Sequence, residues 1–363
     1  MKGKILIGLS GGVDSSVSLK ILKDKGYQVE ALYMKNWDED DYQQGCNAKE
    51  DLVYASDVCN KLDVKLNTAN FSDEYWNKIF TKFLDSYKSG YTPNPDILCN
   101  KYIKFKVFIE YAKKLGFDKV ATGHYAKIVK KNNFLYLKVP LDISKDQTYF
   151  LHLLDQKQLS NVIFPLSDIT KQDVKKIAEV NSFKSFYKKE SMGICFIGNK
   201  KFKNFIKNYI KNRPGKILDF EGNIIGEHNG MFYATIGQRE GIGIGGIKNK
   251  KNLPWYVYKK DIKNNALYVC QGNDNSLLFT NAIYLKELHI TDNNEETILK
   301  NSLKCQIRHL GEKYICNITK IDNGKYLVNT NQSIRAAAPG QSLVLFENDV
   351  CLGGGIISDD KPY

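Results

Sequence analysis

The sequence predicts an α/β architecture, a doubly wound parallel sheet carrying a phosphate-binding loop, followed by a small β-rich central domain and a C-terminal antiparallel β-barrel. Three observations lead there. Ser10-Gly11-Gly12-Val13-Asp14-Ser15-Ser16 stands between an apolar run, Ile5-Leu6-Ile7-Gly8-Leu9, and a helix-like run that stops at Gly26. Strand-like and helix-like patterns then alternate to about Tyr125. After about Lys201 the chain changes to short alternating runs separated by turn residues. With 363 residues, more than one domain is expected, divided at 1–205, 206–275 and 276–363.

A strand, a glycine-rich turn and a helix N-terminus in succession form an anion cradle, because backbone N–H groups and the positive end of the helix dipole converge there. Neither the G-x-x-x-x-G-K-[ST] nor the G-x-G-x-x-G spacing is present. Asp14 lies inside the loop instead, and a carboxylate beside phosphates calls for a bridging cation, most simply magnesium. S-G-G-x-D-S-S resembles the signature of the PP-loop ATP pyrophosphatases, which implies ATP in the loop. The plainer alternative is a strand-to-helix turn whose glycines and serines are caps.

Further along, Tyr27 to Met34, Val64 to Asn70 and Asp118 to Thr122 read as strands, with a helix-like stretch from Lys49 to Leu62. Trp76, Ile79, Phe80, Phe83, Leu84 and Tyr87 keep helical spacing behind Ser72 as N-cap, and Val107, Phe108, Tyr111, Ala112 and Leu115 repeat it up to Gly116. Ligands of such a sheet collect at the carboxyl ends of its strands. That rule selects Met34, Gly123-His124 and the segment Tyr91-Thr92-Pro93-Asn94-Pro95-Asp96-Ile97-Leu98-Cys99-Asn100. Its two prolines predict a rigid non-helical loop presenting Asn94, Asp96 and Cys99, with a helix N-terminus behind the thiol to lower its pKa. A core methionine, a structural histidine and a buried cysteine are the plainer readings of Met34, His124 and Cys99. The acidic run Asp38 to Asp41 reads as a solvated loop.

Lys145-Asp146-Gln147-Thr148 is a contact loop or a helix cap, and Gly193-Ile194-Cys195-Phe196-Ile197-Gly198 places a second cysteine between glycines. Phe202 to Ile210 reads as a short helix, and Lys216 to Asp219 and Met231 to Thr235 as short runs. The glycine-rich segment 235–246 reads as a hairpin or loop. Six strand-like runs follow at 282–290, 302–309, 314–321, 325–330, 341–347 and 350–357, with a turn at Pro339-Gly340. Their spacing predicts a small barrel with Arg308-His309 and Arg335 on its polar face.

Composition narrows the partners. The chain carries 53 basic and 40 acidic residues, a net charge of +13, which favours a polyanion such as nucleic acid. Only four of the basic residues are arginine, Arg213, Arg239, Arg308 and Arg335, where a planar bidentate group has a use lysine does not fill. No apolar run approaches the length of a membrane span and Lys2-Gly3 leads straight into the first strand, so a soluble, cytoplasmic protein with no membrane partner is expected. Eight cysteines without a C-x-x-C pair are expected to be reduced, and oppose a zinc ribbon or a thioredoxin-type motif.

The strings SGGVDSS, TPNPDILCN, ATGHYA, KDQTYFL, GICFIG and TIGQREGIGIGG, in that order and followed by a small β domain, together resemble the tRNA-specific 2-thiouridylases, the MnmA family. This resemblance spans nearly the whole chain; only the first string is shared with all PP-loop enzymes. It implies a sulfurtransferase that adenylates the C2 oxygen of the wobble uridine in tRNAs for Lys, Glu and Gln, using ATP and magnesium. The nucleotide would lie on Gly8, Leu9, Ser10, Gly11, Gly12, Val13, Asp14 and Ser15, with Met34 and Gly123 around it. A persulfide on Cys195 would supply sulfur with Cys99 as partner thiol, directly or as released sulfide. Either route ends in a Cys99–Cys195 disulfide that is reduced before the next turnover. Asp96 would be the acid/base, with Asn94 and Pro95 lining its pocket. The resemblance carries tRNA contact onto His124, Lys145, Asp146, Gln147, Arg308, His309 and Gln341, and implies a sulfur-donor protein, a cysteine desulfurase or a relay protein.

Two other readings stay open on the residues alone. One is a PP-loop enzyme in which ammonia or an amine attacks the adenylate, chemistry that needs no cysteine pair. The other is a basic RNA-binding protein that retains a nucleotide fold and releases no AMP.

Overall fold

In the computed structural model, which describes residues 2–37, 47–188, 205–245, 253–299, 303–321 and 324–359, the first apolar run is strand β1 (Lys2–Gly8). Ile5, Leu6 and Ile7 are all buried, and they alternate between two cores, Leu6 on one face of the sheet and Ile5 and Ile7 on the other. The strands β2 (Tyr27–Lys35), β3 (Leu66–Asn70) and β4 (Lys119–Ala121) follow in chain order. After the hairpin β5 (Lys127–Lys131) and β6 (Phe134–Lys138) comes β7 (Val162–Ile163). Parallel pairing gives the order β3-β2-β1-β4-β7. The chain builds outward from β1 on one side and returns to its other side at β4, so the direction of strand order reverses between β1 and β4. Open α/β sheets leave a crevice at that point.

Helix α1 (Val13–Asp24), helix α2 (Asn47–Lys61) and the helix Lys171–Val180 share the core on the Ile5 and Ile7 face. The opposite face is covered by two longer helical runs, 72–88 and 95–114. Both differ in detail from the sequence expectation. The first run begins at Ser72 itself, and the acceptor for the Ser72 N–H is Asn70 Oδ1 at 2.9 Å, two residues earlier than the expected cap. The second begins at Pro95, twelve residues before the apolar periodicity, because Pro95 takes the first helical position, where proline is tolerated, and Asn94 caps it. The expected rigid non-helical loop is therefore a helix start. Each run contains a π-helical turn, Trp76–Phe80 and Asn100–Val107, which interrupts the periodicity by one residue per turn.

A second sheet is built from β8 (Gly215–Leu218), β9 (Ile224–His228), β10 (Trp255–Asp261) and β11 (Ala266–Gln271), in the order β10-β11-β8-β9. The expected run at Met231 to Thr235 is instead a 3-10 turn, Met231–Tyr233, whose Met231 and Phe232 are buried. Residues 235–245 form a chain of turns, as their glycines suggest.

The six C-terminal runs become β12 (Phe279–Ile290), β13 (Leu303–Gln306), β14 (Tyr314–Lys320), β15 (Tyr326–Arg335), β16 (Ser342–Glu347) and β17 (Val350–Ser358). Antiparallel pairing runs β12-β15-β14-β13-β16-β17 and returns from β17 to β12, which closes the barrel. A feature absent from the sequence reading is the hairpin β5–β6, which pairs through β6 with the outer side of β17, Cys351 opposite Leu137. Among the described residues no helix is long and apolar enough to cross a membrane.

Candidate functional site

The loop after β1 closes on itself through hydroxyls. Ser10 N–H donates to Ser15 Oγ at 3.2 Å, while Ser15 Oγ and Ser16 Oγ donate to the Gly12 carbonyl at 3.0 and 2.9 Å. Gly11 has φ +72°, and a Cβ there would lie 2.3 Å from the Asp51 carbonyl oxygen, so only glycine fits. Gly12 caps α1 without a side-chain acceptor. The dipole end of α1 and the small residues before it thus open onto the crevice between β1 and β4. Met34 belongs to this wall, its Cε 3.0 Å from where a Gly8 Cβ would be. Gly123, at the end of β4, makes its close approach to the backbone of Asp14 and Ser15, 2.7 Å from a notional Cβ to Ser15 N.

Asp14 has its own cation. Lys171 Nζ lies 2.7 Å from both carboxylate oxygens, and the Tyr125 hydroxyl donates to Oδ1 at 2.8 Å. Sequence reasoning passed over both partners. Lys171 carries a signal: it opens a helix capped by Thr170, where the dipole disfavours a cation, and it is buried. A lysine in that place calls for a carboxylate in front of it.

Tyr125 joins this loop to the segment Lys145-Asp146-Gln147. Its N–H donates to Gln147 Oε1 at 2.9 Å and its carbonyl accepts from Gln147 N–H at 3.0 Å. Asp146 Oδ1 accepts from the N–H and the hydroxyl of Thr148, the first residue of the helix Thr148–Leu151. From the barrel, His309 Nε2 donates to the Asp146 carbonyl at 2.7 Å, and its ring lies 4.5 Å from that of Phe150. Segments 162 positions apart in the chain, Gln147 and His309, therefore sit on the same short stretch of backbone. Arg308 turns back onto the barrel, donating to the Ala336 carbonyl at 3.0 Å.

The segment from Asn94 occupies the other side. Asn94 Oδ1 accepts from Asp96 N–H at 3.1 Å, and Pro95 is buried. Asp96 and Cys99 are three residues apart on one helix and so share a face. Cys99 is only 1% exposed and sits inside the helix rather than ahead of an N-terminus, so the dipole effect expected for its thiol is not provided by this geometry. Asn100 Nδ2 reaches the Phe150 carbonyl at 3.1 Å, tying this helix to the 145–151 segment. Gln341 Nε2 donates to the Thr92 carbonyl at 2.6 Å, and Thr92 N–H to the Pro339 carbonyl at 2.9 Å, so the barrel also fixes the approach to Asn94. His124 stands among Thr122, whose hydroxyl is 2.8 Å from Nδ1, Phe105 and Phe164. Burial, with Lys104 adding to it, holds its imidazole well below the usual range, so it is neutral at pH 7. Cys195, with the run Gly193 to Gly198, lies outside the described residues, as does the Asp38 to Asp41 run. Among the described residues no three His, Cys, Asp or Glu side chains cluster as a metal site.

A parallel sheet with its serine- and glycine-rich loop at the point of strand-order reversal defines the class, a nucleotide-binding α/β domain of the HUP type joined to two β domains. The profile described as tRNA methyl transferase HUP domain matches residues 3–199. Those described as tRNA methyl transferase PRC-barrel domain and aminomethyltransferase beta-barrel domain match 203–271 and 280–357. Over its whole length the chain is similar to proteins named tRNA-specific 2-thiouridylase MnmA. It is 45% identical to that of Pseudomonas entomophila over 362 residues, covering 100% of this chain and 96% of that protein. With that of Buchnera aphidicola subsp. Schizaphis graminum it shares 47% identity over 360 residues, 99% and 98% of the two chains. The chain belongs to the MnmA family of tRNA-specific 2-thiouridylases.

Proposed function

We propose that this protein is the ATP-dependent tRNA-uridine 2-sulfurtransferase of its cell, converting the wobble uridine of tRNAs for Lys, Glu and Gln to 2-thiouridine. The observation that carries the reading is the unbroken path Asp14–Tyr125–Gln147, with Asp146 held by His309. It couples a nucleotide loop to residues whose partners come from a separate barrel, as an enzyme must when one substrate is ATP and the other a large RNA.

In this reading ATP lies on Gly8 to Ser15 between Met34 and Gly123. The uridine C2 oxygen attacks the α-phosphorus, pyrophosphate leaves, and C2 then carries AMP as a leaving group. The terminal sulfur of a Cys195 persulfide forms the new C–S bond as AMP departs. The Cys99 thiolate then attacks Cys195 Sγ, the persulfide S–S bond breaks with its electron pair left on the sulfur now bound to C2, a Cys99–Cys195 disulfide forms, and two electrons from a reductant restore both thiols. In the alternative order Cys99 first frees the sulfur as sulfide. Asp96 accepts or returns the proton at the base, lined by Asn94 and Pro95. Magnesium brought by ATP would neutralise phosphate charge, and Asp14, held by Lys171, is the loop carboxylate that would face it. Arg308 and Gln341 join His124, Lys145, Asp146, Gln147 and His309 in holding tRNA. The persulfide comes from a cysteine desulfurase or a relay protein in the cytoplasm. The working domain division is 1–205, 206–275 and 276–363.

The test incubates the protein with ATP, magnesium, a persulfide donor and unmodified tRNA(Lys), and measures 2-thiouridine by mass spectrometry beside AMP release. Cys99→Ser and Cys195→Ser run in parallel. Thiouridine from wild type only supports the assignment; AMP without thiouridine leaves an amidating enzyme; full activity in both variants removes the thiols from the mechanism.

A further inference from the structure

The residues just before the Asn94 cap are tied, one after another, to parts of the chain far from the parallel sheet. The Gly90 carbonyl accepts from Lys260 Nζ of β10 at 2.9 Å. The Tyr91 hydroxyl donates to Asp359 Oδ1, just past the end of β17, at 3.1 Å, and Lys286 Nζ of β12 stands 4.4 Å above the Tyr91 ring. Thr92 donates its N–H to Pro339 and accepts from Gln341 at its carbonyl. Two residues later Asn94 caps the helix that carries Asp96 and Cys99. A backbone fixed at consecutive residues has little freedom left where it enters the helix. The place of Asn94, Pro95 and Asp96 is therefore inherited from β10 and the barrel.

Among these ties Lys260 is the one with an energetic penalty. It is partly buried, on the wall of a cavity of about 510 Å³ where the 90–92 turn, β10 and the barrel meet. Burial lowers its ammonium from the usual 10.5 to about 8, and Asp359 opposes that shift only in part. The other titratable groups on this wall are Tyr258 and Tyr284, with Lys259, whose ammonium stands over the Tyr268 ring. Asp359 is thus the one carboxylate among the described residues lining the cavity. For stability alone an apolar side chain would fill the same space without desolvating a charge. What the ammonium supplies is direction: a charge-assisted N–H···O bond is stronger than a neutral one and holds the Gly90 carbonyl at a fixed place on β10.

We propose that Lys260 is a positioning residue for the sulfur-transfer reaction: through the Gly90 carbonyl it sets where Asn94, Pro95 and Asp96 meet the target uridine. The central sheet then acts on the chemistry without touching the substrate. The inference rests on the reading that these three residues line the base pocket. A small displacement of groups that orient a reacting base lowers the rate of the chemical step more than it weakens binding of a large RNA held at many other points.

The test measures kcat for thiouridine formation on unmodified tRNA(Lys), together with tRNA affinity, in wild type, Lys260→Met and Lys260→Arg across the alkaline range. Lys260→Met lowers kcat about tenfold and leaves tRNA affinity within about twofold. Lys260→Arg, for which the cavity has room, recovers most of the rate at neutral pH. In wild type kcat falls as pH rises through about 8, where the ammonium gives up its proton. That limb is missing in Lys260→Arg, whose guanidinium stays charged. Should Lys260→Met fail to fold, the pH profiles of wild type and Lys260→Arg decide the matter. The same alkaline limb in both overturns the inference, and so does a wild-type kcat in Lys260→Met. Loss of tRNA affinity with kcat unchanged overturns it too. A wild type that makes no thiouridine instead overturns the function on which the inference rests.

Discussion

Lys171 and Asp14, 157 positions apart, meet at 2.7 Å in the nucleotide loop, and the lysine side chain is only 10% exposed. A buried ammonium facing a loop carboxylate holds that carboxylate in place and puts a positive charge where phosphates arrive. Lys171→Met is expected to lower AMP release about 100-fold, roughly 2.7 kcal/mol of transition-state stabilisation, with Lys171→Arg recovering part of it. AMP release at the wild-type rate in Lys171→Met would mean that the pair is structural only. Tyr125→Phe removes one of the Asp14 hydrogen bonds and costs less, about fivefold. The two substitutions share Asp14, so their effects are expected to be non-additive in a double-mutant cycle.

Gly340 carries the barrel's hold on the first domain. Its φ is +91°, and a Cβ would come within 2.8 Å of Thr92 N and Tyr91 Cβ. Gly340→Ala is expected to cost about 2–3 kcal/mol through strain and lost docking, read as a thermal midpoint several degrees lower. A midpoint equal to wild type would show that the barrel does not depend on this contact.

His152 gives a pH dependence whose sign follows from burial. The ring is 1% exposed, its Nδ1 donates to the Tyr149 carbonyl at 2.8 Å, and burial lowers its pKa from 6.5 to about 3. Below 6.5 the unfolded chain takes up a proton that the folded one refuses. Stability therefore falls as pH drops from about 6.5 toward 3, by up to about 1.4 kcal/mol per pH unit from this group. In His152→Asn the slope of denaturant stability between pH 6.5 and 5 is expected to be shallower than in wild type, although the variant is less stable at pH 7. An identical slope would assign the acid sensitivity elsewhere.

Cys99, at 1% exposure, is expected to resist alkylation in the free protein. Its proposed chemistry requires contact with the target base or the second thiol, so tRNA binding is expected to speed its labelling by iodoacetamide before sulfur is supplied. Peptide mass spectrometry reads the rate; equal labelling with and without tRNA would count against opening of this helix on binding.

With 49 of its basic residues being lysine, from 53 less the four arginines, the chain makes most phosphate contacts through point charges. Affinity for tRNA is expected to fall about 100-fold between roughly 50 and 200 mM salt. A flat salt response would point to recognition by base and shape contacts alone.

Much of this protein is legible in its amino-acid sequence. The loop at Ser10 to Ser16, the alternation of β1 to β4 with helices and the six barrel strands all follow from local pattern, because burial on a sheet face imposes a short period that a few residues display. Local pattern also misled. Pro95 reads as a helix breaker until Asn94 is seen capping the helix it begins, and Met231 to Thr235 alternates like a strand yet packs as a 3-10 turn. The candidate site was legible as a set of strings and not as a place.

The kinds of element and the chemistry they carry can be read along the chain, since periodicity, glycine spacing and residue type are properties of neighbouring residues. Which of these residues meet is set by the packed fold. Lys171 faces Asp14, His309 holds the Asp146 carbonyl, Gln341 grips Thr92, and the hairpin β5–β6 extends the barrel wall at β17. Each of these joins residues at least 157 positions apart. Their energy comes from desolvating a charge or completing a backbone hydrogen bond in one packed arrangement, and a linear pattern carries no record of that arrangement.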